Sequence, residues 1–330
     1  MRRVLLILIV AAGLSPGTWW RSPPPTAEDR QILRVVSLDQ PAQAVGQMQL
    51  LGAWELRSPN EHFHGYSALA VLDDGTLFAV SDRGRMLRFP PPGADGPVAF
   101  GRFSVIPPGD SKRLADVEAI TRDPQSGRLW AAYEGSNLIE RREPGRETKR
   151  IAPAAMEDWS DNSGAEAMVR LADGRFIVLS ERGDSWRDDT THGLLFPADP
   201  VEGAEPVPFR FAPPRRSRPV DMAQLPDGRV LVLTRRIEWG LPPRFSSKLI
   251  VADPARIREG ATWQGTVVAE IAEPLPTENY EGLAIQPTED GSAVVWLISD
   301  DNQSIFQRTL LLKLVWPANE KARGNARAPR

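Results

Sequence analysis

The chain has 330 residues, 41% of them hydrophobic and 25% charged, with a formal net charge of -3; these are the proportions of a soluble globular protein with room for one large domain or two ordinary ones. A charge so near neutral argues against a general nucleic-acid binder, which needs a basic stripe against the phosphates. The absence of cysteine excludes disulfides, thiolate zinc sites, cysteine nucleophiles and a lipid-modified N-terminal cysteine, and leaves the compartment open because a large core can do without disulfides.

Taken in chain order, Arg2 and Arg3 precede an almost purely apolar run over residues 4–14. The run is short of the roughly 20 residues a spanning helix needs and has the layout of a secretory signal. Residues 1–20 therefore read as a signal peptide or an uncleaved N-terminal anchor, with Trp19 and Trp20 suited to a membrane interface. The protein is expected to be exported, periplasmic or secreted, and to touch a membrane only through such an anchor. Residues 21–30, with three consecutive prolines, read as an extended linker. Residues 31–317 read as the folded domain, expected to be monomeric, and 318–330 as a basic disordered tail.

Within the domain one unit recurs. Segments starting at Ser67, Val117, Ala165, Val220 and Tyr280 each contain a short apolar stretch, a turn ending in Gly, and a second apolar stretch with a polar end. The turn glycines are Gly75, Gly127, Gly174, Gly228 and Gly291, spaced by 52, 47, 54 and 63 residues. Glycine there supplies the positive φ of a tight hairpin turn. Stretches 77–80, 176–179 and 230–233 are too short and too continuously apolar for amphipathic helices and read as strands buried on both faces. Two further strands follow the hairpins, at 86–89 and 100–106 after the first, 193–196 and 207–211 after the third, and 248–252 and 266–271 after the fourth. Four strands in a unit of this length mark a propeller blade. The last unit offers only three, ending at 310–316, and 48–56 would supply its fourth and close the ring. The expected fold is all-β, a β-propeller of about five four-stranded blades. Six blades stay open because 31–38 is an unused strand candidate, and an irregular β-sandwich or β-solenoid is the competing architecture.

In a hairpin the start of the first strand and the end of the second lie side by side. Acids recur at both places: Glu118, Glu166, Asp221 and Glu281 at starts, Asp82, Glu134, Glu181 and Asp300 at ends. Because the first strand of each blade lines a propeller's channel, these carboxylates are expected on one face near the axis. Crowded like charges raise one another's pKa unless a cation or an arginine compensates, and hard cations such as Ca²⁺ bind clusters of oxygen ligands. Asn162, Asn279 and Asn302 stand beside these positions as neutral oxygen donors. Arg83, Arg182, Arg235 and Arg236 follow the second strands and suit bidentate recognition of phosphate or carboxylate. Against this, strand ends are polar in any β-protein, and acids there commonly pair with surface arginines. Asp221 is shifted by one position relative to Glu166 when the glycines are aligned. His62 and His64 would share a face on a strand, though an exposed loop is the plainer reading of that stretch. No nucleophile elbow, P-loop or dinucleotide fingerprint is present.

The stretches HFHGYSAL and AVSDRG, then DVEAI, GAEAM, PVDMAQLPDGRVLVL and NYEGLAI resemble the phytase-like family, described as having esterase-like activity of phytase. The resemblance runs from about Gln47 to Trp316. It implies a site similar in kind to that of propeller phytases, which use calcium ions on an acidic face to bind and hydrolyse phosphate esters. The residues matching its acidic motifs are Asp82, Glu118, Glu134, Glu166, Glu181, Asp221, Glu281 and Asp300. Two departures stand out: the fourth unit ends in Thr234-Arg235-Arg236 where an acid is expected, and the first begins with Ser67-Ala68.

The leading functional expectation is a calcium-dependent phosphoesterase or esterase acting on a small-molecule ester or phosphate ester. Glu166 or Glu281 would serve as general base, and Arg83 or Arg182 would neutralise charge developing on the substrate. A calcium-dependent lactonase-type hydrolase and a non-enzymatic ligand- or protein-binding propeller are the alternatives. Acids paired one-to-one with arginine would favour the binding propeller.

Overall fold

The computed structural model describes residues 28–104, 116–160, 164–185, 188–240 and 242–318. The expected signal or anchor, most of the linker, nearly all of the tail, Asn162 and the end of the 100–106 strand lie outside these residues.

Three strands lead: β1 (Arg34–Ser37), β2 (Gln43–Val45) and β3 (Met48–Arg57). The first blade is β4 (Tyr66–Val71), β5 (Leu77–Ser81), β6 (Arg85–Phe89) and β7 (Ala99–Arg102), and the second is β8 (Val117–Arg122), β9 (Leu129–Tyr133), β10 (Leu138–Arg142) and β11 (Lys149–Ile151). The third holds β12 (Ala165–Arg170), β13 (Phe176–Ser180), β14 (Thr191–Phe196) and β15 (Val207–Phe211). The fourth holds β16 (Arg218–Gln224), β17 (Val230–Glu238) and β18 (Arg244–Ala252); β19 (Thr262–Trp263) then crosses back to pair in parallel with β15, and β20 (Thr266–Ile271) completes the fourth sheet. The fifth holds β21 (Tyr280–Pro287), β22 (Ala293–Ser299) and β23 (Leu310–Trp316). Among the described residues helix is confined to three short 3₁₀ turns, at Ala154–Met156, Pro200–Glu202 and Pro254–Arg256, and none is long and apolar enough to cross a membrane.

The innermost strands β4, β8, β12, β16 and β21 pack against one another in sequence, and β21 returns to β4. This is a five-bladed propeller. The fifth blade takes its outer strand from the N-terminus, because β23 pairs antiparallel with β3 over Leu310↔Glu55 to Val315↔Gln49. The extra strand candidate makes no sixth blade: β1 adds to the outer edge of β3.

Continuous apolar strands are explained by stacking. Every residue of β13, Phe176 to Ser180, is buried, since both faces of an inner sheet meet a neighbouring blade. Leu231, Leu233 and Leu249 of the fourth blade thus join Leu297, Leu312 and Leu314 of the fifth in one cluster. Hairpin turns such as those at Gly75 (φ 78°) and Gly174 (φ 91°) use the left-handed region as expected. At the seam between first and last blades the backbones come close: a Cβ on Gly282 would lie 2.6 Å from Ile298 Cγ2 and 3.0 Å from Leu69 Cβ.

Removing residues through Arg57 would strip β3 from β23 and expose an unpaired edge, an invitation to aggregation. The truncated chain is expected to be insoluble or to melt well below the full chain in a thermal scan. An unchanged melting temperature would remove β3 from the closure of the ring.

Candidate functional site

Each innermost strand breaks register with its partner at the same place. The breaks fall between Tyr66 and Ala68, Val117 and Ala119, Ala165 and Ala167, Pro219 and Asp221, and Tyr280 and Gly282. The skipped residues are Ser67, Glu118, Glu166, Val220 and Glu281. A β-bulge re-aims the side chain it carries and often sits beside active sites; here it carries three glutamates in equivalent positions around the ring.

A second row comes from the ends of the second strands. Asp82, Glu134, Glu181 and Asp300 each donate a backbone N–H to the carbonyl two residues before the bulge, those of Gly65 (3.0 Å), Asp116 (3.0 Å), Gly164 (3.2 Å) and Asn279 (2.9 Å). In the fourth blade Arg218 faces Arg235 in register, so the equivalent position is filled by Arg235. Its guanidinium pairs with Glu281, reaches Asn279 Oδ1 at 2.9 Å and Glu181 Oε1 at 3.4 Å, and is only 15% exposed. Asn279 Nδ2 also donates to Glu281 at 2.9 Å.

These groups share one electrostatic neighbourhood. Glu118 is pushed well above the usual carboxylate range by burial, then by Glu166, Glu281, Glu134 and Asp116. Glu166 is raised by burial and by Glu134 and Glu181, with Arg235 pulling against them. Burial likewise raises Glu281, opposed by Arg235 and the Asn279 hydrogen bond, and raises Asp300 with help from Glu281 and Asp82. Burial works against the charge of Arg235, but Glu281, Glu166, Glu181 and Asp300 outweigh it and hold the guanidinium firmly protonated.

Of the eight acids singled out in the sequence, seven belong to this mouth. Asp221 is the exception. The one-residue shift places it past the bulge, where it is buried with its oxygens accepting the backbone N–H groups of Met222 (2.8 Å) and, across the blade boundary, Leu283 (2.6 Å). It stitches the fourth blade to the fifth. Arg182 binds the outer side of Glu181 at 2.8 Å. Arg83 is exposed and, among the described residues, pairs with none of the carboxylates, and Arg236 pairs with Glu238 at 3.1 Å. Asn302 contributes a backbone N–H to Asp300 Oδ1 (2.7 Å).

Two features escaped the sequence reading. Asp116, the first residue of DVEAI, lies with Glu118 and Glu134 so that one carboxylate oxygen from each falls within 4.8 Å of the others. It holds the place in the second blade that Asn279 holds in the fifth, and that equivalence was the available signal. The other is the contact made by His64, which lies half-buried on a loop, the plainer reading of that stretch, and whose Nδ1 meets Asp301 Oδ2 at 2.5 Å. Asp301 also accepts Thr309 Oγ1 (2.9 Å) and the N–H groups of Gln303 (3.0 Å) and Gly65 (3.3 Å). Burial disfavours its charge, but the His64 contact and these donors hold its carboxyl below the usual range. His62 stands apart beside Glu61 (3.8 Å), and His192 pairs with Asp184 (3.1 Å).

The family model for phytase-like proteins, described as esterase-like activity of phytase, matches residues 61–303. The chain belongs to the phytase-like family. The matched span of this phytase-like protein contains every carboxylate of the mouth. A search of curated proteins finds no match. Solved structures similar to it include virginiamycin B lyase from Staphylococcus aureus, 12% identical over 86% of this chain and 98% of that one with a TM-score of 0.41. The WD40 β-propeller domain of Doa1 is 12% identical over 85% and 99%, with a TM-score of 0.38. The β-propeller domain of Myceliophteria thermophila Cps50 is 11% identical over 87% and 100%, with a TM-score of 0.40.

Replacing Arg235 with Met would leave Glu281 and Glu181 without their buried cation. Breaking a buried pair in this way costs about 3–5 kcal/mol, and protonation of the carboxylates relieves the cost. Denaturant unfolding in chelator should therefore show a large loss for Arg235→Met at pH 8 and a smaller one at pH 5. Equal losses at both pH values would contradict the electrostatic role.

Proposed function

We propose that this phytase-like protein is a hydrolase of phosphate or carboxylic esters that works with a divalent cation, calcium, at the carboxylate mouth. The observation that carries the proposal is the trio of Asp116, Glu118 and Glu134, whose oxygens converge within 4.8 Å. An all-oxygen, anionic donor set fits a hard cation, and around it burial and mutual repulsion hold Glu118, Glu166, Glu281 and Asp300 above their usual range. Such an ion would be held by these three residues and would polarise a substrate oxygen as a Lewis acid.

The chain's own groups complete the chemistry. Glu166, buried beside Glu134 and Glu181 and held above the usual carboxylate range, suits the role of general acid or base. Glu281 is fixed by Arg235 and Asn279, which makes it an orienting group. Arg235, set among the carboxylates, joins Arg182, which pairs with Glu181, as a cation able to oppose charge developing on a substrate oxygen. Among the described residues Arg235 serves both Glu281 and Glu181, so its pairing is shared rather than one to one.

The test is a thermal melt with chelator and with calcium restored, alongside turnover of p-nitrophenyl phosphate, p-nitrophenyl acetate and a lactone. Calcium at roughly 100 times its dissociation constant adds about 2.7 kcal/mol to native stability, so a clear upward shift is expected, weakened in Glu118→Gln, Glu166→Gln and Glu281→Gln. Turnover confined to the lactone would move the assignment to the lactonase class. Unchanged melting and no turnover of any substrate would make the protein a ligand- or protein-binding propeller.

A further inference from the structure

Beside the mouth, the fourth blade carries a second feature that the carboxylates do not explain. Strands β17 and β18 run past the ends of their neighbours and pair as far as Glu238↔Arg244. The overhang, the β15–β16 connection and the loop before β14 enclose a cavity of about 810 Å³, within the size range of small-molecule sites. Four arginines line it: Arg215, Arg216, Arg218 and Arg236.

Their charges are not equally compensated. Arg236 pairs with Glu238 at 3.1 Å. Arg218 lies within reach of Glu181, Asp188 and Asp189, and the last two also line the cavity. Arg215 and Arg216 are exposed and form no ion pair among the described residues. Arg216 also has φ 62°, a left-handed conformation that costs a non-glycine residue backbone energy and that clusters at ligand clamps. Trp239, 91% exposed, stands at the end of the overhang and lines the same cavity, offering an aromatic face to the body of a ligand.

The cavity borders the mouth through one strand pair. Arg218 is the register partner of Arg235, and Arg236 follows Arg235 in the chain. One edge of the cavity is thus one residue from the guanidinium that holds Glu281 and Glu181.

We propose that this arginine-lined cavity is an anion subsite that binds a phosphate group of a small molecule, with Trp239 covering the molecule's body. Two uncompensated guanidiniums match a phosphate dianion better than a single carboxylate, and their forked donors fit its oxygens bidentately. As a substrate subsite, a role that rests on the hydrolase reading, it selects molecules bearing a phosphate remote from the ester at the mouth.

Titration calorimetry with inorganic phosphate, run in chelator so that no cation bridges to the mouth, tests the binding itself. Phosphate is expected to bind the native protein and Glu118→Gln equally, and the double variant Arg215→Ala/Arg216→Ala at least about tenfold more weakly. Acetate is expected to bind poorly, and the fluorescence change on phosphate addition should be lost in Trp239→Phe. Both arginines are exposed, and circular dichroism will show whether the double variant keeps the native fold. Equal binding by the double variant, loss of binding in Glu118→Gln, or no heat up to about 10 mM phosphate would each overturn the subsite. Ester turnover is scored separately: its absence with phosphate binding intact would overturn the hydrolase and leave the subsite standing.

Discussion

Repulsion among carboxylates at the channel mouth is the constraint around which this end of the molecule is arranged. Two unit charges ~4 Å apart interact by about 4 kcal/mol at an effective dielectric of ~20. Ring closure brings Glu118, Glu166 and Glu281 from the bulges and Asp82, Glu134, Glu181 and Asp300 from the strand ends into one neighbourhood, with Asp116 beside them. Among the described residues the buried guanidinium of Arg235 sits among them and offsets part of the repulsion felt by Glu281, Glu166, Glu181 and Asp300. A fold stable enough to enforce this crowding, through blades packed face to face and a ring shut by β3 on β23, is what makes the mouth chemically distinctive.

The bulge is the local device that makes the crowding possible. A regular inner strand would alternate its side chains between the two blade faces, and an acid at that position would be buried against leucines. Skipping one residue per blade turns Glu118, Glu166 and Glu281 toward the shared space, and Asp221 shows the alternative. Standing one position later, it lies between blades and is satisfied by the N–H groups of Met222 and Leu283. The same residue type thus serves as site or as stitch according to a single step of register.

Much of this was legible in the sequence because propeller repeats are local. The turn glycines, the apolar second strands and the missing fourth strand of the last unit led to five blades closed by residues 48–56. Strand 31–38 was visible too, but its place on the edge of β3 depends on pairing that no local pattern encodes. The shift of Asp221 and the arginines ending the fourth unit both stood out as departures. Their meaning needed the bulge, which is set by pairing between strands. His64 and Asp301 were beyond reach, being 237 residues apart in the chain and joined only at the seam where the last blade meets the first.

The most direct test of the crowding is the pH dependence of stability without metal. Glu118, Glu166, Glu281 and Asp300 are held above their ordinary values. Groups raised on folding contribute stability at pH below their unfolded values, and that contribution is lost as pH rises through the raised ones. Denaturant unfolding of the native chain and of Glu118→Gln/Glu166→Gln, both in chelator, should be compared from pH 5 to pH 8. The native chain is expected to lose stability relative to the variant as pH rises, and to recover it when calcium is added. Parallel curves for the two proteins, or a native chain that gains on the variant toward pH 8 without metal, would contradict the crowded mouth.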